Sequence, residues 1–279
     1  MRRRDNLGAT MSTGGPPDAR KPAAAGSINP YSPPTVALDG AGGGIAREGG
    51  GFKSATPLAN AITVVMAIEI VARLIDGGNA RLTISVMNSV IAGETVDRAR
   101  LVGIDQRTGA LALLSLGTLF VAGVLFCFFM PRANRNASAF GSLMSNSPGW
   151  AAGWFFVPVA GLWKPYYAMK EIWQGSDPDP TVHAMTVRAP ARLALWWWMF
   201  LIYSFSGWIV AQSTKAVHSP SDLITASWVR IVTSALTIVA AGLAILVVRG
   251  GARRQDERQR RHPAGAPLPA PVVRAGVAP

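Results

Sequence analysis

The sequence predicts an all-α integral membrane protein of four transmembrane helices, with an extra Trp/Pro-rich helical segment, re-entrant or interfacial, between helices two and three. Three observations lead there. Charged residues make up 15% of the 279-residue chain and hydrophobic residues 49%, whereas a soluble domain carries about 25% charged residues. The apolar residues gather in four stretches long enough to cross hydrocarbon, which takes roughly 17–25 mostly apolar residues. Nine tryptophans suit the membrane–water boundary, where an apolar ring with a polar tip is at home. Four buried helices of a water-soluble domain are the competing reading, and four such capless stretches disfavour it.

Residues 1–56 come first. Runs such as Gly14-Gly15-Pro16-Pro17 and Ala41-Gly42-Gly43-Gly44 bury too little surface to offset chain entropy, so a disordered tail is expected. Met1-Arg2-Arg3-Arg4 carries the charge of a signal peptide, yet no apolar run follows before residue 57; the first span is expected to act as an uncleaved anchor. The membrane domain is predicted over 57–250, with spans at about 57–75, 109–130, 191–211 and 229–248. Between the first two, residues 80–107 are expected to form helical extensions or a helical hairpin turning at Gly93-Glu94-Thr95. Residues 251–279, basic and then Pro/Ala-rich, are expected to form a second disordered tail.

The interfacial segment, 148–174, is the most unusual part. Pro158 disturbs the preceding helical turn, and Pro165 suits the first turn of a new helix. A break is therefore expected around 158–163, followed by a short amphipathic helix whose Tyr166, Met169 and Trp173 share one face. Lys164 and Lys170 can reach headgroup phosphates from there. The candidate headgroup or partner segment comprises Pro148, Trp150, Trp154, Pro158, Trp163, Lys164, Pro165, Tyr166, Lys170, Glu171 and Trp173. Glu171 is otherwise expected on a solvated helix face. Trp196, Trp197 and Trp198, about 100° apart in turn on a helix, cannot all face one neighbour, so some must face lipid.

The run Ser147-Pro148-Gly149-Trp150, Gly153-Trp154-Phe155-Phe156-Val157-Pro158, Leu162-Trp163-Lys164-Pro165-Tyr166 and Met169-Lys170-Glu171-Ile172-Trp173 resembles the signature of a bacterial family of four-span membrane proteins, domain of unknown function 4328. Arg132-Ala133-Asn134-Arg135-Asn136-Ala137 and the tryptophan-rich third span are similar to it as well. The resemblance covers roughly 57–250. Gly161 stands where the family pattern has Asn, and Tyr167 where it has Gln. The resemblance implies a fold and an inner-membrane location, and carries no activity, substrate or catalytic residue.

Four crossings put both tails on one side, together with the 131–190 connection. That side holds nineteen Lys+Arg and the other holds five, so the positive-inside rule places both termini in the cytoplasm. The net charge of +12 is then an orientation signal and an attraction to anionic inner-leaflet lipid. Nucleic acid is not an expected partner, because the basic tail lacks stacking aromatics.

Glu69 is the carboxylate clearly inside a predicted span, and an unpaired charge there costs about 2.5–3.5 kcal/mol or more. Glu69, Arg73 and Arg230 form the candidate intramembrane charge set. Arg73 follows Glu69 by one turn, and Asp76 follows Arg73; all three are expected near the outer interface. The alternatives are an intrahelical Glu69–Arg73 pair, a Glu69–Arg230 bridge between helices one and four, or a proton or ion path through Glu69. Cys127 reads as a small apolar residue.

No catalytic, cofactor-binding or metal-ligating set emerges: His183, His218 and His262 are scattered, and the chain has a single cysteine. The expected function is that of a non-enzymatic, multi-pass inner-membrane protein. Its partners are the lipid bilayer, anionic lipid headgroups and a possible membrane protein, met through the Trp/Pro-rich segment. The alternative is a small transporter or channel using Glu69 and Arg230.

Overall fold

The computed structural model describes residues 51–179, 187–215 and 217–266. His183, most of the first predicted tail and residues 267–279 of the second lie outside these residues. The described chain is helical, in the order α1 (Thr56–Ile91), α2 (Arg98–Ala139), α3 (Pro148–Gly153), two single 3₁₀ turns (Trp154–Phe156 and Ala160–Leu162), α4 (Lys164–Gly175), α5 (Ala191–Lys215) and α6 (Pro220–Arg261). The helices α1, α2, α5 and α6 are each long and apolar enough to cross a membrane, and the four predicted spans fall within them. The protein is an all-α, multi-pass membrane protein.

Local chemistry fixes the helix ends. Pro57 opens α1 at its first turn, where a missing N–H costs nothing. The Asp97 side chain caps α2 by accepting from the Ala99 amide at 3.0 Å. Ser219 caps α6 ahead of Pro220, accepting from the Asp222 amide at 3.2 Å. Gly93, at φ 79°, supplies the left-handed residue that turns the chain between α1 and α2, within the predicted Gly93-Glu94-Thr95 turn.

The helices run well past the hydrocarbon. α1 has 36 residues, about 54 Å of helix against a hydrocarbon thickness of about 30 Å. Two predicted boundaries shift as a result. Residues 251–261, expected in the second tail, continue α6; Arg258, Arg260 and Arg261 sit in its last turn, where cations favour the helix dipole. Residues 52–56, expected in the first tail, dock on the bundle. There the Phe52 ring lies 5.6 Å from that of Phe140, and the Thr56 and Ser54 hydroxyls donate to Asp256 at 2.6 and 2.8 Å. Likewise α2 continues through Pro131 to Ala139.

α1 and α6 pack along most of their length, with α2 on the flank of α1 and α5 on the flank of α6. Small residues make the close approach possible: Ala59, Ala72 and Ala80 on α1, and Ala240, Ala241 and Ala244 on α6, are all buried. α2 and α5 do not pack backbone to backbone. Near the end of the bundle that carries the tails, the Phe126 ring reaches across to stack on Trp196 at 5.9 Å. Toward the opposite end, a cleft separates them. The main apolar core lies at the tail end, where Phe129, Met130, Met169, Ile172, Leu193 and Val247 are buried together. A smaller cluster of Val86, Met87 and Ile104 closes the α1–α2 corner.

Candidate functional site

The Trp/Pro-rich segment folds back onto the tail end. Pro148 starts α3. The Trp150 and Trp154 rings lie 4.8 Å apart, and Lys164 Nζ sits 5.2 Å over the Trp154 ring. The Trp154 indole N–H donates to Asn146 Oδ1 at 2.8 Å. The expected break lies between Val157 and Trp163. Its pivot is a γ-turn: the Ala160 amide donates to the Pro158 carbonyl at 2.7 Å, with Val159 at φ 65° and ψ −59°, a rare and strained conformation for a β-branched residue. Gly161 is required next to it, because a Cβ there would stand 3.0 Å from the Trp154 carbonyl oxygen. The segment dips below the tail-end surface. The Trp197 indole N–H donates to the Leu162 carbonyl at 2.8 Å, and Phe155 packs edge-on to Trp197 and Phe200.

Two expectations for the following helix are corrected. α4 opens with Pro165 in its first turn, as predicted, but Pro165, Met169, Ile172 and Trp173 are buried. Tyr166 packs against the same core, so the Tyr166–Met169–Trp173 face meets protein instead of headgroups. The reason is on α6: Gly250 leaves room for the Trp173 ring, and a Cβ there would come within 3.1 Å of it. Glu171 is also no bystander. It accepts from the Ser145 amide at 2.5 Å and the Ser145 hydroxyl at 2.9 Å, pinning the connection from α2. The apolar side chains left outward are Trp150, Phe156, Val159, Leu162, Trp163 and Tyr167, with Pro158 exposed and Lys170 half-buried beside them.

Behind this segment lies a polar cluster that periodicity alone did not reveal. Gln255, fully buried, accepts from Asn136 Nδ2 at 2.9 Å and donates to the Ala133 carbonyl at 2.8 Å and to Ser176 Oγ at 3.0 Å. Asn136 also exchanges hydrogen bonds with the Lys53 backbone. Beside it a crevice of about 740 Å³ is lined by Arg192, Arg249, Arg253, Arg254, Arg260, Trp173 and Glu257, the last paired with Arg260, with Ile245 and Leu246 on its membrane side. Arg192 and Arg254 lie 5.0 and 5.3 Å over the Trp173 ring, a favourable cation–π geometry. Arg254 is further held by Asp177 and the Trp173 carbonyl.

A family model described as "Domain of unknown function (DUF4328)" matches residues 92–253, more than half of the chain. The protein belongs to the DUF4328 family. No curated protein and no solved structure matches it. The match takes in the Trp/Pro-rich segment, Asn136, the first arginines of the crevice and Arg230. It begins after α1, later than the resemblance from residue 57 suggested.

The second constellation in this DUF4328 protein lies within the membrane. Arg73 Nε donates to Glu69 Oε1 at 2.6 Å, the intrahelical pair. Thr118 on α2 donates to the other Glu69 oxygen at 2.5 Å. Arg230 pairs with Asp76, so the link between α1 and α6 exists, but through Asp76 and not Glu69. Ser234 adds a 3.1 Å hydrogen bond to Asp76. The antiparallel register explains the choice. Contacts of Thr56 with Asp256 and of Asp76 with Ser234 set Glu69 opposite Ala241, more than two turns from Arg230. That level is the middle of the apolar stretch of α6, and Thr118 is the middle of that of α2. Glu69 therefore lies near mid-membrane, deeper than expected from counting along 57–75; Asp76 and Arg230 lie nearer the boundary. Among the described residues no group of three or more His, Cys, Asp and Glu side chains comes together.

Proposed function

We propose that this DUF4328 member is a non-enzymatic bacterial inner-membrane protein, with both termini cytoplasmic, whose tail-end face holds anionic lipid headgroups. The arginine crevice carries the reading. Arg192, Arg249 and Arg253 are exposed around an opening whose inner wall is Ile245 and Leu246. Those two residues lie in the last turn of the apolar stretch of α6, just before Arg249, so the crevice straddles the boundary between hydrocarbon and water. A phosphate there meets guanidinium donors, which bind it in bidentate fashion, while its acyl chains lie along the apolar wall. The Trp/Pro-rich segment contributes Trp163 and Lys164 at neighbouring depth, matching the preference of such side chains for this zone. The charge bias toward the tail side supports the orientation.

The experiment uses the full chain in nanodiscs of phosphatidylcholine with and without phosphatidylglycerol. Anionic lipid should raise the unfolding temperature of the wild type, as any ligand of the folded state does. The rise should shrink by more than half in the Arg192→Gln/Arg249→Gln/Arg253→Gln variant. An equal rise in both proteins overturns the reading. A second reading, a small transporter or channel using Glu69 and Arg230, draws on two chambers that meet beside Glu69. Solute flux into proteoliposomes, lost in Glu69→Gln, would put it first.

A further inference from the structure

We infer that the cleft between α2 and α5 is a binding site for a single-chain anionic amphiphile, a long-chain carboxylate in its simplest form, taken laterally from the leaflet away from the tails. The site is separate from the arginine crevice and does not depend on it.

Two chambers of opposite character lie in line within the cleft. The one toward the α1–α2 turn, about 400 Å³, presents Arg73, Asp76, Arg230, Thr108 and Tyr203. The one toward the tail end, about 310 Å³, is walled by Phe126, Phe200, Trp196 and Gly123. They share Leu119, Tyr203 and Thr237 as lining, which sets them side by side along the cleft. Along α5, Val210 to Tyr203 bounds the polar half and Tyr203 to Trp196 the apolar half, each about 10 Å at the helical rise. The Phe126–Trp196 stack and Phe155 close the apolar end.

This order decides the occupant. A lipid of the leaflet away from the tails has its head toward that interface and its chain toward mid-membrane. The chambers repeat that sequence from polar to apolar in the same direction. The polar chamber is faced by Arg73, Arg230 and Asp76, and because Arg73 pairs with Glu69 at the edge of the adjoining chamber the four charges balance, so a head is recognised there through guanidinium N–H donors and not through net charge. Each guanidinium carries five N–H donors, and the contacts to Glu69, Asp76 and Thr108 engage only some of them. An anionic head supplies the missing acceptors. The apolar chamber, floored by α1 and α6 and walled by α2 and α5, takes one extended chain. Because α2 and α5 do not pack together, the chain can enter from the side without crossing the polar interface.

The test uses the full chain in phosphatidylcholine nanodiscs doped with a palmitate bearing a diazirine near the end of its chain, and in parallel with the matching C16 alcohol. A Cβ added at Gly123 or at Gly207, one in each chamber, would meet nothing within 4 Å, so Gly123→Phe and Gly207→Phe block the cleft without forcing the backbone. The carboxylate should label peptides spanning 119–127 and 196–203. Gly123→Phe should cut that labelling about tenfold or more, with circular dichroism unchanged, and the Asp76→Asn/Arg230→Gln pair should erase the preference for carboxylate over alcohol. Labelling that survives Gly123→Phe, or that falls equally on the lipid-facing Leu113 and Leu116, overturns the site. Equal labelling by the alcohol in the wild type overturns the anionic head.

Discussion

The Asp76–Arg230 pair offers the sharpest test of how the bundle is held. Asp76 is 7% exposed and takes both Arg230 and Ser234. In Asp76→Asn, Arg230 keeps its charge, which a guanidinium cannot shed, and retains Thr108 at 3.5 Å. Stranding one member of a buried pair costs about 3–5 kcal/mol, and a charge within the bilayer about 2.5–3.5 kcal/mol on insertion scales. The location near the boundary favours the lower figure, so about 3 kcal/mol is expected. Arg230→Gln should cost less, about 2 kcal/mol, because Asp76 keeps Ser234 and Arg73 Nη1 lies 4.0 Å away. The double variant removes both charges, and its cost should fall about 2 kcal/mol short of the sum. Reversible unfolding in mixed micelles, read as a double-mutant cycle, measures this. A parallel cycle on Glu69→Gln and Arg230→Gln should show much weaker coupling, since those side chains are linked only indirectly, through Arg73 and Asp76. Additivity within about 0.5 kcal/mol for Asp76 and Arg230, or strong coupling for Glu69 and Arg230, would refute the assignment.

Other expectations concern the tail end and are read by the same unfolding assay. Gln255→Leu takes one acceptor from Asn136 Nδ2 and the side-chain donor from the Ala133 carbonyl and Ser176 Oγ, while Asn136 keeps the Lys53 carbonyl and Ser176 the Ile172 carbonyl, and should cost about 1–3 kcal/mol in all. Gly250→Val places a side chain against the Trp173 ring; the cost should be about 1–3 kcal/mol, with Trp173 newly open to an aqueous quencher. At the break, Val159→Gly should stabilise by about 1 kcal/mol or more by relieving a left-handed φ, while Gly161→Ala should destabilise by crowding the Trp154 carbonyl. Unchanged stability in both would show that the γ-turn is not held as described.

The spans were legible because each is a long apolar run whose length alone matches hydrocarbon, and Pro158 and Pro165 marked the break and restart between α3 and α4. What sequence reasoning misplaced follows from packing between distant segments. The Tyr166–Met169–Trp173 stripe has the spacing of an interfacial face, yet the same spacing serves a core, and only Gly250, nearly eighty positions on, decides between them. Gln255 sits in a run rich in arginine and glutamine that reads as tail; its burial depends on Asn136 and Ser176 arriving from two other segments. The signal for it was present in Asn134 and Asn136 within the stretch resembling the family pattern, two amides one turn past an apolar span. The partner of Arg230 was missed because one helix alone fixes no register against another, and Asp76 falls just past the end of the predicted first span.

The inner face of α1 also states which solvent the bundle meets. Glu69, Asp76, Asn79 and Thr83 are buried, while Ile68, Val71, Leu74, Ile75 and Leu82 are between 44% and 61% exposed. A helix of a soluble protein would turn these residues the other way. Here the polar groups have no water to meet and must find one another, which Arg73, Thr118, Arg230 and Ser234 allow. Asn79 likewise donates to Thr108 at 2.9 Å and to the Ile104 carbonyl at 3.3 Å, and accepts from Arg107 at 3.1 Å. Within hydrocarbon such pairing ties α1 to α2 and α6, because the hydrophobic effect gives apolar helix faces no reason to associate there. α5 meets this face through Tyr203, which contacts Arg73, and is otherwise joined to the bundle through α6 and the tail-end aromatic cluster.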